Sequence, residues 1–114
     1  MKEYLILLRG GDARMAEMSE AESQAHMQRW GAYMQDLAQK GHLVGGLPLQ
    51  QDGRIVTTGG VSEDVVRSEQ GEAVGGWLHF KAESYDHAVE LSKACPIFEH
   101  NGNVEIREIL PMEM

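Results

Sequence analysis

The sequence predicts an α+β fold, a ferredoxin-like split βαβ arrangement in which an antiparallel sheet carries two helices on one face. Two observations predict it. The last third of the chain runs GGWLHFKA, SYDHAVELSKACP and NGNVEIREIL, which reads as a strand, a capped helix closed by proline, and a second strand after a glycine turn. A similar unit lies upstream, so the pattern of one helix between two apolar strands occurs twice. At 114 residues there is room for one domain, 1–114, with one modest core.

Each element has a local reason. Glu3–Leu8 is a short apolar run suited to a buried strand, and Gly10-Gly11-Asp12 ends it. Ser19 with Glu22 three positions later is a capping-box pattern that starts the first helix, and Gly41 ends it. His26, Trp30, Tyr33, Met34 and Leu37 recur at spacings of three and four, which makes them its buried stripe. His42–Gln50 reads as a strand weakened by Gly45, Gly46 and Pro48, hence bulged and near an edge. Asp52-Gly53 reads as a hairpin-type turn into the β-branched run Ile55–Thr58. The polar, acidic stretch from Gly59 to Ala73 reads mainly as a long loop, with room for a short strand near Val65–Val66. Val74–Ala82 is the next strand, with Leu78 and Phe80 on one side and Trp77 and His79 on the other. Ser84 caps the second helix, with an expected apolar stripe of Tyr85, Ala88, Val89, Ser92 and Cys95, and Pro96 stops it. Val104–Leu110 is the last strand.

The bulk numbers remove whole classes of function. A net charge of −8 with no Lys/Arg cluster argues against binding nucleic acid or an anionic membrane. The N-terminal MKEYLILLRGG has too short an apolar run for a signal peptide or a membrane span, so a cytoplasmic location is expected. Cys95 is the only cysteine, which rules out an intrachain disulfide. The histidines lack zinc-ligand spacing, and neither a metal nor another cofactor is expected. The methionines read as core filler, and Gly10-Gly11 and Gly59-Gly60 as turns.

Both helices cover one face of the sheet, so the other face, carrying Trp77, needs a cover. A second copy of the chain would supply it, giving a homodimer whose two sheets enclose a cavity. Among candidate chemical groups, His26 sits on the inward stripe of the first helix. It reads either as a general base or as a core-edge histidine bonded to a carbonyl. Asp64, Glu69 and Glu72 read either as partners that orient His26 or as a solvated acidic loop; Glu69 and Glu72 lie nearest Gly75-Gly76. Trp77, His79, Glu105 and Arg107 alternate along two strands and either line the cavity opposite the helices or form an interface. Cys95, at a helix C-terminus and on a packing stripe, reads as a structural thiol.

Three stretches resemble the YCII-related proteins, in the branch named for an Asp-Gly-Pro-Phe motif, within the dimeric α+β barrel superfamily. They are Gly75-Gly76-Trp77, the run from Tyr85-Asp86-His87-Ala88 to Cys95-Pro96, and Gly102-Asn103-Val104-Glu105-Ile106-Arg107; His26, Trp30 and Gly41 also fit. The signature loop departs from the family pattern, since Gly-Pro-Phe is Val65-Val66-Arg67 here. A His-Asp centre proposed for a related branch would place its Asp at Cys95. The resemblance implies a homodimer with a small-molecule pocket and cofactor-free acid-base chemistry on a small cyclic or enolisable carbonyl compound. It implies His26 as base, Glu69 or Glu72 as its orienter and Arg107 as an anion partner, and the ligand contacts expected around them are Trp30, Trp77, His79 and Arg107. A non-enzymatic ligand-binding or regulatory module built on the same cavity is the competing reading, and a pure interaction dimer is the third.

Overall fold

The structure, a computed structural model, describes residues 1–10, 18–50, 52–63 and 73–112. Its elements are β1 (Lys2–Arg9), α1 (Glu20–Gln39), β2 (Leu43–Pro48), β3 (Ile55–Thr57), β4 (Gly60–Ser62), β5 (Val74–Ala82), α2 (Tyr85–Lys93), a 3-10 turn (Pro96–His100) and β6 (Asn103–Glu108). Four strands form one antiparallel sheet in the order β2-β5-β1-β6. β5 separates β2 from β1, and β1 separates β5 from β6, which is the split βαβ topology the sequence predicts.

Register sorts the two faces. Ile6 lies opposite Leu78 and Ile106, and Tyr4 opposite Phe80, so these side chains share a face; Tyr4, Ile6, Leu78 and Phe80 are buried there under the helices. The alternate residues Leu5, Leu7, Trp77, His79, Glu105 and Arg107 share the other face. Leu5, Leu7 and Trp77 are only half-buried in the single chain.

Both ends of α1 are built as the sequence specifies. Ser19 Oγ accepts from the Glu22 backbone N–H at 3.1 Å, and Gly41 takes a left-handed φ of 80°. Gly41 N–H then reaches the Ala38 carbonyl and His42 N–H the Leu37 carbonyl, a paired closure of the last turn. His26, Tyr33 and Leu37 are buried along the expected stripe, with Trp30 and Met34 packed half-buried beside them. Tyr33 Oη donates to the Leu91 carbonyl at 2.7 Å and so ties α1 to α2.

Two local expectations are corrected. The buried arc of α2 is Ala88 and Ser92 with Leu91 packed alongside, while Tyr85 and Val89 are exposed. The helix has only nine residues, and the narrow strip it lays on the sheet is turned toward Leu91. Tyr85 still contributes, leaning edge-on against Tyr4 and accepting from the Glu108 N–H at 2.8 Å. The second correction concerns the hairpin. β3 pairs with β4 across Thr58-Gly59, not at Asp52-Gly53, and forms its own two-stranded sheet. Gly60, at φ 137°, supplies the conformation that closes this turn. The Val65–Val66 stretch lies outside the described residues.

Candidate functional site

A cavity of about 390 Å³ opens between α1, the 3-10 turn and the β2–β5 edge of the sheet. Met27, Trp30 and Met34 line it from α1, Leu8 and Leu78 from the sheet, Ile97 from the 3-10 turn, and Leu47, Pro48 and Trp77 from the neighbouring strands. Gly46, Gly75 and Gly76 complete the wall. Gly46 has no alternative, because a Cβ there would stand 2.7 Å from the Trp77 carbonyl oxygen. Close approach of β2 to β5 therefore needs a glycine. Among the described lining residues none carries a carboxylate, ammonium or guanidinium; the titratable groups are the imidazoles of His26 and His100.

His26 is 3% exposed, and its two nitrogens have different neighbours. Trp30 Nε1–H donates to His26 Nε2 at 3.0 Å, one helical turn away. An N–H donor at Nε2 requires a lone pair there, so the neutral ring carries its proton on Nδ1. Nδ1 points at Glu99 Oε2, 3.4 Å away, which is within ion-pair reach but is not a formed hydrogen bond. Arg29 Nε donates to Glu99 Oε2 at 2.9 Å and holds the carboxylate from the solvent side. The His100 ring stands edge-on to His26 with centroids 4.5 Å apart. Burial pushes the His26 pKa below its ordinary 6.5, and the neighbouring His100 adds to this, against the opposing pull of Glu99. The resting ring is a neutral imidazole with a carboxylate at its back.

The residues expected at the site are partly gathered here. His26 and Trp30 line the cavity, and Trp77 borders it from β5, although register puts Trp77 on the far face of the sheet. His79 and Arg107 sit on the opposite face of the sheet: His79 Nε2 contacts Glu3 Oε1 at 2.9 Å, and Arg107 donates to Glu105 Oε2 at 3.2 Å. Glu105 also accepts from Arg9 at 2.7 Å, and Arg107 with Arg9 holds its carboxyl below the usual carboxylate range. Glu69 and Glu72, with Asp64, lie outside the described residues. Cys95 is buried, which pushes its thiol up to about 11 and leaves no thiolate at neutral pH. No group of three or more His, Cys, Asp or Glu among the described residues is placed to hold a metal ion. No helix there is long and apolar enough to cross a membrane.

His100 at the cavity end and Glu99 behind His26 are site residues that no periodicity in the sequence marks. The signal was present: Pro96 opens a short turn as a first helical residue, and Asn101-Gly102 closes it. Asn101, at φ 59°, takes the left-handed conformation expected of that ending.

Compared with known families, the YCII-related domain matches residues 3–113 of the chain. No curated protein matches it.

Proposed function

The chain belongs to the YCII-related family, and on that footing we propose that it binds a small, largely apolar compound in the cavity beside α1 and moves a proton on it. The observation that carries this reading is the buried His26 at the end of an otherwise apolar cavity, with the solvent-exposed Glu99 carboxylate behind its Nδ1. A neutral imidazole with a carboxylate behind Nδ1 is the arrangement a general base uses, because the carboxylate steadies the imidazolium that forms when Nε2 takes a proton. The compound class is a small cyclic or enolisable carbonyl molecule, and no cofactor takes part. Glu99 is the orienter with geometry behind it; Glu69 and Glu72 remain orienters proposed from sequence.

A second reading has its own support. Trp30 already occupies the Nε2 lone pair, which suits a pocket that holds a ligand without transforming it. The two readings part in deuterium oxide. Thermal-shift screening of small cyclic ketones and enols first identifies compounds that raise the melting temperature by mass action. Proton NMR of those compounds then reports exchange of the acidic C–H. Exchange with wild-type protein that is lost in His26→Gln supports the acid-base reading. Binding without exchange leaves the ligand-holding module.

The assembly is part of the same proposal: a cytoplasmic homodimer that covers the face bearing Leu5, Leu7 and Trp77. Its support is the half-buried state of these three residues, since both helices are already spent on the other face. His79 and Arg107 would then border the second copy.

A further inference from the structure

Granting that the cavity holds a small molecule, we infer that its ligand is an uncharged, flat-ringed compound that donates a hydrogen bond, from O–H or N–H, to His26 Nε2 in place of the Trp30 indole. The inference rests on the hydrogen-bond accounting of one ring. Nδ1 carries the proton and faces Glu99 at 3.4 Å, so the chemistry His26 offers the cavity is the Nε2 lone pair. That lone pair receives the Trp30 N–H at 3.0 Å. Both rings of this bond line the cavity. A ligand that reaches Nε2 must replace a donor with a donor. A carbonyl, ether or carboxylate oxygen placed there would meet lone pair with lone pair and leave two buried acceptors unsatisfied.

The rest of the wall agrees. Among the described lining residues there is no guanidinium or ammonium to neutralise an anion, so a carboxylate or phosphate would receive no counter-charge from them. Trp30, Met27 and Met34 supply an indole and two thioethers, groups that pack well on flat rings. Trp30 is half-buried and lines the cavity, so its indole is not enclosed on every side.

The test compares three probes with the wild-type protein by calorimetry and thermal shift: indole, its near-isostere benzofuran, which lacks the N–H, and benzoate. In the wild-type protein indole trades one N–H···Nε2 bond for another, so it is expected to bind with an affinity comparable to that of benzofuran. Benzoate is expected to give no shift. Trp30→Phe removes the competing donor and should give indole an advantage of about fivefold over benzofuran, the difference one net neutral hydrogen bond makes. If that variant does not fold, the Trp30 indole N–H resonance of the wild-type protein carries the test: it should move on adding indole and stay nearly still with benzofuran. Equal affinities for indole and benzofuran in Trp30→Phe, or a wild-type N–H resonance unmoved by bound indole, overturn the donor inference and leave the cavity reading standing. Preference for benzoate overturns it as well. Failure of both neutral rings to bind overturns the cavity reading itself, and this inference with it.

Discussion

His26 is a histidine whose charge is unwelcome where it sits. Its folded pKa lies below 6.5 because burial penalises the imidazolium. In the unfolded chain the same ring takes up a proton near 6.5, so over the window below that value the unfolded state binds more protons. The stability His26 contributes is therefore complete above about pH 6.5 and is lost as pH falls from there through the folded pKa. Urea denaturation of wild type and His26→Gln between pH 8 and pH 5 checks this: wild type should lose more stability on acidification. Glu99 opposes the shift, so Glu99→Gln should lower the His26 pKa further while changing stability by at most about 1 kcal/mol, the range of exposed ion pairs. Titration of the imidazole by NMR decides it; an unchanged or raised pKa would mean that His26 does not feel Glu99. Burial also alters what the sequence suggests for this residue. At 3% exposure and with Trp30 hydrogen-bonded to it, His26 serves packing as well as the cavity.

Among the elements, the 3-10 turn is the one on which the site depends. Gly102 fixes its exit: a Cβ there would stand 2.8 Å from the Arg9 carbonyl oxygen and 2.9 Å from that of Ile97, and backbone atoms cannot step aside. Gly102→Ala should cost about 1–3 kcal/mol, as overpacking does, and should displace the turn that carries Glu99. Urea denaturation gives the cost, and a change in the NMR-titrated His26 pKa reports the displacement. A variant with wild-type stability would show that the turn relaxes freely. This turn also marks the limit of what the sequence discloses. Long periodic segments were legible: α1 with its Ser19 cap and Gly41 ending, β1, and β5 with Leu78 and Phe80 inward all stand where pattern places them. Half of the histidine pair was legible too, because His26 repeats with the stripe of a long helix. Glu99 was not, since it reaches His26 from a five-residue turn far along the chain, and no periodicity links them. The stripe of α2 and the hairpin turn were misplaced for a related reason: in nine-residue and three-residue elements, packing and one glycine conformation outweigh pattern.

At the scale of the molecule, one face of the sheet is finished and the other is not. The row Trp77–Leu7–Glu105 crosses that open face at its centre. Light scattering at micromolar concentration should give twice the mass of one chain. Leu7→Glu, which sets a second carboxylate beside Glu105, should give monomers that still fold, since like charges side by side across strands repel and the core face is untouched. A wild-type monomer would remove the reason to place His79 and Arg107 at an interface.

The buried thiol gives the molecule a clock. Cys95 is 4% exposed and its thiol is pushed up to about 11, so a thiol-reactive dye has neither access nor thiolate while the chain stays closed. Labelling at pH 8 must wait for an opening, and its rate reads how often the chain opens. A compound that binds only the closed state lowers that rate by the factor one plus its concentration over Kd. The single cysteine thereby turns any occupant of the cavity into a slower labelling trace, without a substrate, a colour change or a known reaction.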